Sequence, residues 1–208
     1  TPEPVTAANG MVVTTDELAS RVGVDILEAG GNAVDAAIAV QFALAVVNPE
    51  AGNIGGGGFM MVRMADGSSA ALDFREKAPM AATRDMYLDE DGNLTDKSVA
   101  GHLAVGVPGS VAGMWAAHER FGSMNWTALV EPSVQLANGF PVRQRFLGSL
   151  SSTMVDALSR FQASADQFLP NDGSPPAVGD TLHQPDLAVT LGRIRDQGPD
   201  GFYRGETA

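Results

Sequence analysis

Apolar positions recur at helical spacing along much of the chain. Leu18, Val22 and Ile26 fall on one helix face, and Thr14 with Glu17 three residues on fits a capping box. A helix is therefore predicted from near Thr14 to the Gly30-Gly31 stop. Asn32 is placed to cap a second helix over 33–47, which Asn48-Pro49 ends. Its many alanines put small residues around most of its circumference, which predicts burial on more than one side and close approach by neighbours. Residues 59–64 and 70–74 read as two strands joined at Ala65-Asp66-Gly67. The second half reads as helices: 111–120 behind Pro108-Gly109-Ser110, 126–138 capped by Asn125, 144 to about 161, and 185 to about 196 behind Pro185. Residues 1–13 read as an irregular lead-in, 85–98 and 169–180 as loops, and 205–208 as the opening of another helix. The pattern is α+β with a helix-rich second half. A single domain is expected over 1–208, with only a weak boundary signal near 100–108.

Composition narrows the function classes. The 208 residues are 44% hydrophobic and 18% charged, enough for a buried core and unlike a disordered chain. Thirteen Lys+Arg against 25 Asp+Glu give a net charge of −12, which disfavours nucleic acid and anionic membranes as partners. With no Cys, disulfides, Cys-zinc sites, iron–sulfur clusters and a Cys nucleophile are excluded. The longest apolar stretch, 36–47, is interrupted by Gln41 and is too short to span a bilayer. The start, Thr1-Pro2-Glu3-Pro4, lacks the basic and apolar regions of a signal peptide.

Few motifs carry chemistry. The run Gly55-Gly56-Gly57-Gly58 matches no phosphate-binding spacing and leads from a loop into a strand, so close passage of backbone is its plainer reading. His102, His118 and His183 match no metal spacing, and the acidic run at 89–93 has its glycine at the wrong place for a calcium loop. Neither a metal nor another cofactor is expected. Asn93-Leu94-Thr95 and Asn125-Trp126-Thr127 are glycosylation sequons, relevant only to secretion in a eukaryote. Ser110 is read as a helix cap and not as a nucleophile. An N-terminal threonine can attack with its own amine as base, but Pro2 and Pro4 argue against Thr1 heading a buried strand. Arg75 directly follows the apolar strand and can either grip a carboxylate through two parallel hydrogen bonds or simply pair with Asp73 or Glu76.

The chain resembles the large-subunit half of the γ-glutamyltranspeptidases. The resemblance rests on Gly30-Gly31-Asn32-Ala33-Val34-Asp35-Ala36-Ala37, on Asn48-Pro49 through Phe59, and on Asp73-Phe74-Arg75-Glu76-Lys77-Ala78-Pro79. Pro108-Gly109-Ser110-Val111-Ala112-Gly113 and Gly198-Pro199-Asp200-Gly201-Phe202-Tyr203-Arg204-Gly205 extend it in the same order over almost the whole chain. It implies part of an N-terminal-nucleophile hydrolase fold, an αββα sandwich. It also implies a precursor that cuts itself to free a threonine, which attacks the γ-glutamyl amide of substrates such as glutathione. Arg75 occupies the position of the family's arginine for the substrate α-carboxylate, and Glu76 is a weaker substrate-binding candidate that holds the guanidinium in place.

The family's Thr-Thr-His-x-Ser nucleophile run is absent, so the expected reading is an N-terminal part of the large subunit with no catalytic residue of its own, inactive alone. Its expected partners are the γ-glutamyl substrate, the remainder of the large subunit and the small subunit of the same precursor. Family habit implies a periplasmic or secreted location. Cephalosporin acylases and poly-γ-glutamate-processing enzymes share the architecture and form the first alternative, and a non-catalytic γ-glutamyl-binding module forms the second.

Overall fold

The computed structural model describes residues 3–208, so the reading of Thr1 lies outside the described residues. The chain forms two compact units, one built from Thr1–Asn53 and Met114–Ala208 and the other from Ile54–Gly113.

The first unit is helical. Helix α1 (Glu17–Glu28) buries Ala19, Val22, Gly23 and Ile26. Helix α2 (Ala33–Val47) follows a turn at Gly30-Gly31, and Asn32 caps it in a complete capping box with Asp35. Ten of its residues are buried, among them Ile38, Phe42, Ala43 and Val46, as a helix of small residues packed on several sides requires. Helix α3 (Ser110–Phe121) begins in the second unit and ends in the first. Helix α4 (Trp126–Ala137) packs on α2 and on a helix near the C-terminus, Pro185–Gln197. Phe42, Trp126 and Trp115 meet edge to face at the centre of this core, with centroid separations of 5.6 Å and 4.9 Å. The Trp126 indole N–H donates to the Ile194 carbonyl at 2.9 Å and so ties the last long helix to α4.

Sequence expectation and structure part in several places. The first helix is capped by Asp16, whose carboxylate accepts from Leu18 N, and not by Thr14. Thr14, two residues before the cap, instead hydrogen-bonds the Asp16 carbonyl and the Ser20 hydroxyl. The single helix expected from 144 to about 161 is broken into α5 (Gln144–Ser149) and α6 (Ser152–Ser159), with a further α7 (Gln162–Phe168). The cause is local: the Ser149 hydroxyl takes up the Phe146 carbonyl and Ser151 caps Met154 N, so serine side chains compete with the helical ladder. Helices α8 (Pro185–Gln197) and α9 (Asp200–Tyr203) follow, and 204–207 form a bend and turn in place of the helix opening expected at 205–208.

The second unit holds an antiparallel hairpin, β1 (Phe59–Arg63) and β2 (Ser69–Asp73), in the register Phe59↔Asp73 and Arg63↔Ser69. A second strand pair, β3 (Phe140–Pro141) with β4 (Thr181–Leu182), lies in the helical unit. The architecture is α+β and helix-rich. No helix among the described residues is long and apolar enough to cross a membrane.

Candidate functional site

The site grows from the end of β2. The hairpin ladder continues one step past the strands: Gly58 N donates to the Phe74 carbonyl at 3.4 Å and Phe74 N to the Gly58 carbonyl at 3.0 Å. On the other side, Lys77 and Val107 exchange backbone hydrogen bonds of 3.2 Å and 2.7 Å. Gly109 N and Ser110 N both donate to the Gly56 carbonyl, at 2.8 Å and 3.0 Å. The backbone of Phe74–Arg75–Glu76 is thus held between two glycine-bearing segments. A Cβ at Gly57 would lie 2.5 Å from the Phe74 carbonyl oxygen, and one at Gly109 would lie 1.9 Å from the same atom. Both separations are impossible for real side chains, so glycine at these two positions is a packing requirement. The glycine run therefore lets backbone pass against backbone, as the sequence suggested.

On this platform the Arg75 backbone N–H donates to the Asp73 carboxylate at 3.0 Å, which fixes the turn out of the strand. The Arg75 Nε donates to Glu76 Oε2 at 3.1 Å, and the Arg75 Cζ lies 5.8 Å from the centre of the Phe59 ring. The Arg75 side chain is nevertheless 62% exposed, against 33% for Glu76. A hydrogen bond from its own backbone N–H, followed by the Arg75 guanidinium, holds the Glu76 carboxyl below the usual range, so it is anionic at neutral pH. The two candidate site residues are together. Of the two pairings weighed from sequence, Glu76 takes the guanidinium and Asp73 takes the backbone.

Other groups singled out by sequence have structural places. His118 Nε2 lies 2.8 Å from the Met124 carbonyl beside Trp115 and Trp126, and His183 Nδ1 lies 2.5 Å from the Asn138 carbonyl. Asp89 accepts from the backbone N–H groups of Asp91 and Asn93 in a tight turn. Ser110 starts α3 and is buried. No three His, Asp or Glu side chains converge among the described residues. What sequence reasoning missed is the fully buried Asp35. It accepts from Asn32 N (2.9 Å), the Ser123 hydroxyl (2.5 Å), Ser123 N (3.0 Å) and Met124 N (3.3 Å). The capping-box spacing Asn32-x-x-Asp35 was the available signal.

Residues 19–208 match the family model described as gamma-glutamyltranspeptidase. The chain belongs to the γ-glutamyltranspeptidase family. It is 51% identical over 207 residues to the glutathione hydrolase proenzyme of Pseudomonas sp. strain A14, covering 99% of this chain and 36% of that protein. Among solved structures, the γ-glutamyltranspeptidase of Helicobacter pylori superposes with a TM-score of 0.93 at 43% identity, over 99% of this chain and 59% of that one. A cephalosporin acylase from Bacillus halodurans superposes at 0.80 with 29% identity, over 99% of this chain and 40% of that one. This family member therefore has part of the N-terminal-nucleophile hydrolase fold, as expected. It spans about a third of the length of the curated relative it matches.

Proposed function

We propose that this chain supplies the α-carboxylate grip of a γ-glutamyltransferase and glutathione hydrolase. The complete protein, in this reading, transfers or hydrolyses the γ-glutamyl group of glutathione and related amides. The observation that carries the proposal is Arg75: a side chain 62% exposed, its guanidinium held at the Nε edge by an anionic neighbour and its backbone clamped. With the Nε paired to Glu76, the two Nη groups are left to receive a carboxylate through two parallel hydrogen bonds.

The reacting hydroxyl belongs to a threonine freed by self-cleavage elsewhere in the same precursor. That oxygen attacks the γ-carbonyl carbon, its proton passes to the threonine's own α-amine and from there to the departing nitrogen, and the substrate leaves as a neutral amine, giving an ester. Water or the amine of an amino acid or peptide then takes the acyl group and regenerates the hydroxyl. Arg75 touches none of the reacting atoms; it sets the distance between the γ-carbonyl and the nucleophile. Glu76 keeps the guanidinium aimed. The remainder of the large subunit and the small subunit complete the pocket, no cofactor is required, and the protein resides in the periplasm or outside the cell, a point that cell fractionation tests.

In the complete enzyme, where the rest of the pocket buries the pair of Arg75 with the substrate carboxylate, Arg75→Ala is expected to raise KM for γ-glutamyl-p-nitroanilide by an amount corresponding to about 2–4 kcal/mol, with a smaller change in kcat. Arg75→Lys should recover little of it, because one ammonium cannot make the forked contact. Near-normal kinetics in the lysine variant would refute the forked grip. The likeness to a cephalosporin acylase supports a second reading, a glutaryl side chain as acyl group. Arg75 favours an acyl group bearing an α-carboxylate, so γ-glutamyl-p-nitroanilide should be turned over well ahead of glutaryl-cephalosporin.

A further inference from the structure

The Arg75 guanidinium has a face as well as edges, and the hairpin register decides what lies against that face. Phe59 pairs with Asp73, and the Gly58–Phe74 pair extends the ladder by one step. Arg75 follows two residues after Asp73, the partner of Phe59. That places Arg75 diagonally across the end of the hairpin from Phe59. The guanidinium carbon lies 5.8 Å from the Phe59 ring centre, within the range of a cation–π contact. Phe59 is itself 65% exposed, so its ring is not held in place by a core. Among the described residues, its one ring interaction is with Arg75.

We infer that Phe59 is a positioning residue for substrate binding, acting through Arg75; this rests on the reading of Arg75 as the carboxylate grip. Three contacts then divide the work. The Asp73 carboxylate holds the Arg75 backbone, Glu76 holds the Nε edge, and the Phe59 ring lies under the guanidinium. With the Nε edge paired and the ring against the guanidinium, the Nη edge has fewer orientations in which to present its donors. The ordering of a long side chain is then largely complete before the ligand arrives, which lowers the entropic cost of binding.

The test uses the complete enzyme and γ-glutamyl-p-nitroanilide, with Phe59→Leu, Phe59→Tyr, Arg75→Ala and the double variant Phe59→Leu/Arg75→Ala. Phe59→Leu is expected to raise KM about three- to fivefold, the range of an exposed cation–π contact, with kcat and melting temperature unchanged. Phe59→Tyr, which keeps an aromatic face, should retain the parent KM. In the Arg75→Ala background, Phe59→Leu should add nothing. An unchanged KM in Phe59→Leu, alongside a raised KM in Arg75→Ala, would overturn the role of the ring and leave the grip standing. An equal loss on Phe59→Leu in both backgrounds would also overturn it, since the ring would then act apart from Arg75. An unchanged KM in Arg75→Ala would instead refute the underlying reading of the grip.

Discussion

A methyl group at position 109 would sit 1.9 Å from the Phe74 carbonyl oxygen. Gly109→Ala must therefore push the segment that carries Arg75 off its platform. We expect it to lower stability by about 2 kcal/mol or more, read as a fall in the calorimetric melting temperature of the 208-residue chain. A melting temperature within a degree of the parent would show that the clamp yields without cost. The same residues show what was legible at this scale. Arg75 was visible because a guanidinium directly after an apolar strand can grip a carboxylate by its fork, and because the Asp73-Phe74-Arg75-Glu76 motif matches the family. Its pairing with Glu76 was one of two options that sequence left open, since both carboxylates are within reach of a long side chain. The place of Phe59 was not legible: it follows from the hairpin register and from the ladder running on to the Gly58–Phe74 pair.

Among the elements, α2 and the turn between α3 and α4 are joined by one carboxylate. Burial pushes the Asp35 carboxyl up, but hydrogen bonds from the Ser123 hydroxyl and from the backbone of Asn32, Ser123 and Met124 outweigh it and hold the group below the usual range. Because the folded value lies below the unfolded one, the carboxylate contributes stability at pH values above about 4, and that contribution is lost as pH falls through the folded value. Asp35→Asn is expected to cost about 2–4 kcal/mol at pH 7, since an amide turns donors toward donors in a closed site. The gap between parent and variant should narrow in urea denaturation as pH falls from about 4 through the lowered folded value, below which the parent carboxyl is also neutral. A gap independent of pH would show that shape and not charge is what position 35 supplies. The helices themselves were largely readable from caps and periodicity; α2, α4 and α8 begin within a residue of their expected starts. The failures have local causes. Asp16 displaced Thr14 as cap because its carboxylate is better placed for Leu18 N, and the serines at 149 and 151 broke a helix that apolar spacing alone would have continued.

At the level of the whole molecule, the order of short motifs carried more than any one of them. No single glycine run or helix cap names a family, but their sequence along 208 residues does, and the family model and solved structures agree with it. The short β3–β4 pair was not legible, because Phe140–Pro141 and Thr181–Leu182 are brief and far apart in the chain, and only tertiary packing brings them together. The central proposal is that Arg75 reads the α-carboxylate of the acyl donor, and one comparison tests it most directly. In the complete enzyme, kcat/KM is measured for γ-glutamyl-p-nitroanilide and for 4-aminobutyryl-p-nitroanilide, which lacks only that carboxylate, with arginine and then alanine at position 75. A strong preference for the γ-glutamyl compound that largely disappears in Arg75→Ala is the predicted result. A preference that survives the substitution intact would mean that the carboxylate is read by another group.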